Sequence, residues 1–151
     1  MAYPRWSPSP PRFVWRRAVQ GVKPDGGTAT TIFDLREDRA HVAVYPATVG
    51  TYALLIDGAG MRMLLSTAES RDACAVPGIH AVYGERLLGL CPYDPPHAES
   101  AWIDRPADAP LYQDPMELYV RLPRGEIHII YRRDRMLALR EVVAEVVSLM
   151  R

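Results

Sequence analysis

Apolar and polar residues alternate along several short stretches of the chain, which is the pattern of half-buried β-strands. TATTIFDL and RAHVAVY lie on either side of the residues RED, and MELYVRL and IHIIYRR lie on either side of PRGE. β-Branched and aromatic residues, which favour strands, are frequent in these stretches. The pattern therefore predicts two antiparallel β-hairpins, over residues 28–45 and 116–133.

Two further pairs of apolar stretches predict two more hairpins. TYALLI and MRMLLST flank DGAG, where Gly58 and Gly60 suit a tight connection. IHAVY and RLLGLC flank Gly84 and Glu85 in the same way. For the first of these pairs, a helix over MRMLLSTAES is the alternative.

Near the C-terminus the hydrophobic period changes to that of a helix. From Asp134, the expected N-cap, apolar residues recur at spacings of three and four through RMLALREVVAEVVSLMR. We expect this helix to pack across one face of the sheet, with additional pairing to a partner protein as the alternative. The predicted apolar stripe comprises Met136, Leu139, Val143, Val146 and Met150, widened by Val142, Val147 and Leu149.

Together these elements predict an α+β fold. We expect mostly antiparallel β-hairpins that form a sheet or a partly open barrel, with one C-terminal amphipathic helix packed on it. Residues 1–24 are expected to form an extended N-terminal arm rich in proline and arginine. Residues 25–151 are expected to form a single α+β domain, with an acidic, proline-rich loop at 92–118.

Composition is consistent with one folded domain and argues against membrane and secreted proteins. The chain has 151 residues, of which 48% are hydrophobic, and a domain of this size needs no disulfide or metal to hold its core. No apolar run approaches the roughly 18 residues of a membrane-spanning helix, and the N-terminus lacks the apolar region of a secretory signal. We therefore expect an intracellular protein of the cytoplasm, with an organelle or a virus particle left open.

The net charge is zero, but the charges are unevenly distributed. Residues 1–24 carry five positive charges and no negative one, whereas residues 92–118 carry six acids and one arginine. Arm and loop could therefore attract each other, within one molecule or between two. Surface ion pairs contribute only about 0–1 kcal/mol each, so this match alone stabilises little.

No residue pattern predicts nucleophilic catalysis. Cys74 and His80 are six residues apart, as are Cys91 and His97, but neither pair has a nucleophile elbow or another local signature. Both cysteines are expected to be free thiols, with a disulfide as the alternative.

Metal binding has equally little support. His41 and His128 lie on predicted strands and could meet on one face of the sheet, but the chain has no HExxH or CxxC motif. We accordingly assign no catalytic residue, no cofactor and no metal ligand, and expect a protein that is not an enzyme.

The stretch YPRWSPSPPRFVWRR, residues 3–17, is the best candidate for a binding segment. It contains four prolines, four arginines and two tryptophans, and no acid. Proline lowers the entropy cost of ordering a segment on a partner, and aromatic residues and arginine are enriched at interfaces. The predicted partner-binding residues are Arg5, Trp6, Pro8, Pro11, Arg12, Phe13, Trp15, Arg16 and Arg17.

These observations predict a non-catalytic binding or structural component of a larger protein assembly. We expect it to dock on a protein partner, or on further copies of itself, through the arm and the C-terminal helix. One alternative is a nucleic-acid-associated protein that uses the basic arm with Arg132, Arg133 and Arg135. The other is a small enzyme with a site between the sheet and the 92–118 loop.

Overall fold

The computed structural model describes residues 13–48, 52–70, 72–93, 115–123 and 125–151. The predicted arm before Phe13 and most of the predicted acidic loop therefore lie outside the described residues. In chain order the elements are β1 (Phe13–Val22), β2 (Thr28–Arg36), β3 (His41–Pro46), β4 (Leu54–Asp57), α1 (Gly58–Ser70), β5 (Cys74–His80), β6 (Gly84–Pro92), β7 (Met116–Leu122), β8 (Gly125–Tyr131) and α2 (Arg133–Leu149).

The strands form a closed antiparallel barrel in which each strand pairs with the next one in the chain. β1 and β2 pair over most of their length, from Phe13 opposite Arg36 to Val22 opposite Thr28. Among the described residues, β1 and β8 close the barrel through one pair, Val22 opposite Ile130. The predicted sheet or partly open barrel is therefore a closed one.

The order of elements repeats, because four strands are followed by a helix twice. The two halves, β1 to α1 and β5 to α2, also join in the sheet where β4 pairs with β5. That junction is short, with Leu54 opposite His80 and Leu55 opposite Ile79. The two helices pack against each other. The molecule thus consists of two halves of similar topology that meet through their helices and through short strand ladders.

The main hydrophobic core lies between one face of the sheet and the two helices. On α2 the buried residues are Met136, Leu139, Val143 and Val146, which belong to the predicted apolar stripe. Burying one such side chain stabilises the fold by about 1.5–3 kcal/mol. The opposite face of the sheet carries a smaller buried cluster. We call the face toward the helices the inner face and the other one the outer face.

The prediction of a hairpin around DGAG, and with it the prediction of a single helix, is wrong, and the alternative, a helix over MRMLLSTAES, is confirmed. The residues MRMLLST belong to α1, which begins at Gly58. Asp57 caps this helix, because its Oδ1 accepts a hydrogen bond of 2.8 Å from the backbone N–H of Gly60. Gly60 lies so close to β4 that a Cβ there would be 2.6 Å from Ile56 Cγ2. Gly58 and Gly60 therefore belong to the first turn of a helix that packs closely on β4.

The other predicted elements are confirmed, with shifted ends. The first and fourth hairpins are β2–β3 and β7–β8. In the third hairpin β5 begins already at Cys74. The predicted turn is displaced, because the turn comprises Ala81, Val82 and Tyr83, whereas Gly84 and Glu85 begin β6. α2 follows the extended residue Arg132, which is its N-cap, so the expected N-cap residue Asp134 lies inside the helix.

The described part of the chain includes two helices, and neither is both long and apolar enough to cross a membrane.

Candidate functional site

Four of the nine residues predicted to bind a partner lie in the described chain, and all four are on β1. They are Phe13, Trp15, Arg16 and Arg17. β1 pairs with β2, with a bulge between Phe13 and Trp15. The end of the predicted arm is therefore a strand of the barrel. The other five predicted residues, Arg5, Trp6, Pro8, Pro11 and Arg12, lie outside the described residues.

Trp15 and Arg17 hold the start of β1 against α2. The indole Nε1–H of Trp15 donates to Glu145 Oε1 at 2.7 Å, and Arg17 Nη2 donates to the same oxygen at 3.0 Å. The Arg17 guanidinium also lies over the Trp15 ring, 5.1 Å from its centroid. Arg17 and Glu145 are half exposed, so their ion pair contributes only about 0–1 kcal/mol. This contact fixes where the chain enters the barrel.

Arg16 points to the outer face and is bound within the fold. Its Nε and Nη2 donate to the two oxygens of Asp34 at 2.5 and 2.8 Å, and Tyr45 donates its hydroxyl to Asp34 at 2.7 Å. Asp34 is only 1% exposed. Burial, together with the hydrogen bond to Asp34, raises the pKa of Tyr45 to about 12. Arg16 therefore stabilises a buried carboxylate of its own chain.

α2 has an exposed face next to this entry point. Leu137, Glu141, Ala144 and Ser148 recur at spacings of four, three and four, and all four are exposed. Leu137 is 49% exposed although it is a large apolar residue. Glu145, which binds Trp15 and Arg17, is adjacent to Ala144 in the helix. We call these four residues the α2 face.

A second polar group lies on the outer face of β7 and β8, around His128. Its Nδ1 is 3.1 Å from Glu117 Oε1 and its Nε2 is 3.0 Å from Glu126 Oε2. Arg121 Nε also donates to Glu126 Oε2, at 3.0 Å. The hydrogen bond from His128, and after it the one from Arg121, lowers the pKa of Glu126. Because carboxylates lie within hydrogen-bond distance of both ring nitrogens, the imidazole is held in place between β7 and β8.

The structure separates Cys74 from His80, the first cysteine and histidine that are six residues apart. Both lie on β5, and six residues of strand span about 20 Å. His80 Nδ1 instead accepts hydrogen bonds from the backbone N–H groups of Val82 and Tyr83, at 3.0 and 3.1 Å. The two residues therefore cannot act on one substrate atom.

Cys91 is a free thiol, as is Cys74, and it is not activated. Burial, and after it the nearby carboxylate of Glu117, raises the pKa of the Cys91 thiol. A nucleophilic cysteine needs the opposite shift. His97, six residues further along the chain, lies outside the described residues.

The two histidines considered for a metal site have separate partners. His41 Nδ1 is 3.1 Å from Asp38 Oδ2, while His128 binds the two glutamates of β7 and β8. Within the ranges that the structure describes, no group of three His, Cys, Asp or Glu side chains is arranged to hold a metal ion.

Comparison with known proteins finds no family model, no curated protein and no solved structure that matches the chain. Its function must therefore be inferred from its own geometry.

The contact between β1 and α2 and the buried Asp34 were both missed by the sequence reasoning. Assigning residues 13–22 to the arm hid their partners on β2 and α2. A signal was present, since Trp15, Val19 and Gly21 fall on one phase of an alternating pattern and all three are buried. An acid in the middle of the apolar stretch TATTIFDL, Asp34, also indicates that a basic partner lies on a neighbouring strand.

Proposed function

We propose that the protein is a non-catalytic binding or structural component of a larger protein assembly. In this proposal it docks on its partner through the N-terminal arm and the α2 face together. The observation that carries the proposal is the contact of Trp15 and Arg17 with Glu145. Through this contact the start of β1, which follows directly after residues 1–12, lies beside the α2 face. One partner surface can then contact both elements.

The chemistry of the two elements supports the same partner. The arm supplies tryptophan, proline and arginine, and α2 supplies the exposed Leu137, which are residue types suited to the centre of an interface. Residues 1–12 carry two arginines and no acid. A partner with an apolar patch beside acidic groups fits this combination. A second copy of the chain also fits, since residues 92–118 are acidic.

Deletion of residues 1–12 tests the role of the arm. β1 begins at Phe13, so the deletion leaves every described strand of the barrel in place. We expect the full chain to retain a partner from native extract, or to form a larger species by light scattering. The deleted chain is expected to lose that partner or that mass, while its unfolding transition stays the same.

A pair of matched substitutions tests the role of α2. Leu137 on α2 and Met63 on α1 are exposed to 49% and 48%. We expect Leu137→Arg to abolish the retained complex and Met63→Arg to leave it intact. Should the deletion and Leu137→Arg both leave partner and mass unchanged, the docking proposal is wrong.

Nucleic-acid binding is the second candidate function, and one observation favours it. Arg132 and Arg135 line a groove of about 210 Å³ together with Gln20 and Val22 of β1. Fluorescence anisotropy with a single-stranded oligonucleotide at low and high salt tests it. Salt-dependent binding that weakens in the Arg132→Ala, Arg135→Ala double variant would favour this candidate. The enzyme alternative has no comparable observation among the described residues.

A further inference from the structure

A cavity of about 640 Å³ opens at one end of the barrel. Its walls are the β1–β2 turn, the beginning of β2, the end of β3 with the residues after it, and β8. Cavities of about 300–1,000 Å³ are the usual size for small organic ligands. The α2 face does not contribute to these walls. The cavity is therefore a second candidate site, independent of the proposed docking surface.

One part of the cavity wall is apolar. It is formed by Ala29 of β2, by Ile127 and Ile129 of β8, and by Pro24 and Pro46. Ile129 is buried and belongs to the main core, so this side of the cavity is backed by well-packed residues. Such a wall favours a ligand with a hydrocarbon body.

The other part of the wall supplies hydrogen-bond acceptors. Thr28, Thr30 and Thr48, whose hydroxyl groups can accept hydrogen bonds, line the cavity together with Glu126. Glu126 is oriented through one oxygen, Oε2, which accepts from Arg121 and His128 at 3.0 Å each. A carboxylate accepts through both oxygens, so Oε1 keeps its acceptor capacity for a ligand.

The charges of the lining residues favour a cation over an anion. Asp25 and Glu126 contribute two carboxylates, and Lys23 contributes one ammonium group that is exposed to solvent. The imidazole of His128 is engaged by Glu117 and Glu126 through both nitrogens. An anionic head would lie beside the carboxylates of Asp25 and Glu126, whereas an ammonium group would donate to Glu126 and to the threonine oxygens.

We propose that this cavity binds a small organic amine. Its ammonium group, which has three donors, lies against Glu126 and the hydroxyls of Thr28 and Thr30. Its apolar body lies against Ile127 and Ile129.

Three ligands with the same body and different heads test the proposal: phenylbutylamine, phenylbutanol and phenylbutanoate. Each is titrated at neutral pH into the full ¹⁵N-labelled chain, and the amide shifts are followed by NMR. We expect the amine to give saturable shifts at Thr30, Ile127 and Ile129. The alcohol should bind about tenfold more weakly, a difference of about 1.4 kcal/mol. The carboxylate should give no saturable shifts.

Substitutions identify the acceptor. Glu126 is half exposed, so Glu126→Gln is expected to fold normally and to weaken amine binding by about tenfold, or about 1.4 kcal/mol. Glu69→Gln, which removes an exposed carboxylate from α1, should leave binding unchanged. Thr30→Val, which replaces an acceptor with a group of the same shape, should weaken it as well.

Three results would overturn the proposal: an alcohol or a carboxylate that binds as tightly as the amine, shifts that do not saturate, or binding that is insensitive to Glu126→Gln. These results do not test the docking proposal, because the cavity walls include neither residues 1–12 nor Leu137. The arm deletion and Leu137→Arg in turn leave the cavity walls unchanged.

Discussion

Asp34 carries a negative charge on a strand although it is only 1% exposed. A buried carboxylate is costly unless it is paired and hydrogen-bonded. Arg16 supplies the opposite charge and two N–H donors, and Tyr45 supplies a hydroxyl donor. The network links β1, β2 and β3, so this one residue helps to fix the order of three strands.

We predict that Asp34→Asn lowers the free energy of unfolding by about 1–3 kcal/mol, because it leaves Arg16 and Tyr45 with a poorer acceptor. The loss stays in that range because the Arg16 side chain is 39% exposed and water replaces part of the interaction. Urea unfolding measures the change, with the exposed Glu141→Gln as the control. Equal stability of the two variants would show that the network contributes nothing.

The ionisation of Tyr45 gives a prediction about pH. Its pKa is raised from 10.0 to about 12 by burial and by the neighbouring Asp34. The fold therefore favours the protonated phenol, and this contribution to stability is complete below pH 10 and is lost as the pH rises through 12. The phenolate absorbance is measured against pH for the wild-type chain and for Tyr45→Phe. The difference between the two curves gives the titration of Tyr45 alone, which we expect to be centred near pH 12. A difference curve centred near pH 10 would contradict the burial of Tyr45.

At the residue scale, the sequence predicts which side of a strand is buried but not which distant side chains meet. The alternation in TATTIFDL places Phe33 and Leu35 on the buried phase, and both are in the main core. The pairing of Asp34 with Arg16 depends on β1 lying beside β2, and the sequence assigned β1 to the arm. Contacts of this kind depend on the order of strands in space.

Among the elements, α1 shows why local pattern is ambiguous. Its apolar residues fit either a short strand or a helix, and the glycines before them fit a turn or a helix start. The deciding contacts are the cap from Asp57 and the packing of Met61 and Leu64 in the core. α2 is longer and more regular, so its period alone was sufficient to predict it.

The seam between β1 and β8 requires a glycine. A Cβ on Gly21 would lie 2.8 Å from the carbonyl oxygen of Ile130 and 2.8 Å from Ile129 Cγ2. The carbonyl belongs to the backbone of β8 and cannot move without separating the strands. Closure of the barrel at this point therefore depends on a residue without a side chain.

We predict that Gly21→Ala lowers the free energy of unfolding by about 1–3 kcal/mol, the usual cost of overpacking. The neighbouring exposed residue provides the control, since Gln20→Ala changes the same strand without crowding β8. Urea unfolding of both variants measures the effect. A Gly21→Ala protein as stable as Gln20→Ala would mean that the seam is looser than described.

For the whole molecule, the sequence predicts the class of fold but not its closure. Short turns join β2 to β3, β5 to β6 and β7 to β8, so these hairpins are visible as local patterns. Barrel closure rests on the pair of Val22 with Ile130, which are separated by most of the chain. The repeated order of four strands and a helix is likewise a property of topology, because no repeat is apparent in the sequence.

The two candidate surfaces lie on different parts of the molecule. The docking surface combines the N-terminal arm and the start of β1 with the α2 face. The cavity lies between the β1–β2 turn and β8. A partner bound at the first does not have to cover the second. The arm was recognisable from its composition, whereas the cavity was not, because its walls come from three separate parts of the chain.

Hydrogen exchange of the partner-bound and free protein, followed by mass spectrometry, tests the docking proposal most directly. We predict that binding slows exchange in peptides that cover the start of β1 and the α2 face, from Leu137 to Ser148, and leaves the β7–β8 hairpin unchanged. Slowed exchange confined to other elements, with β1 and α2 exchanging as in the free protein, would contradict the proposal.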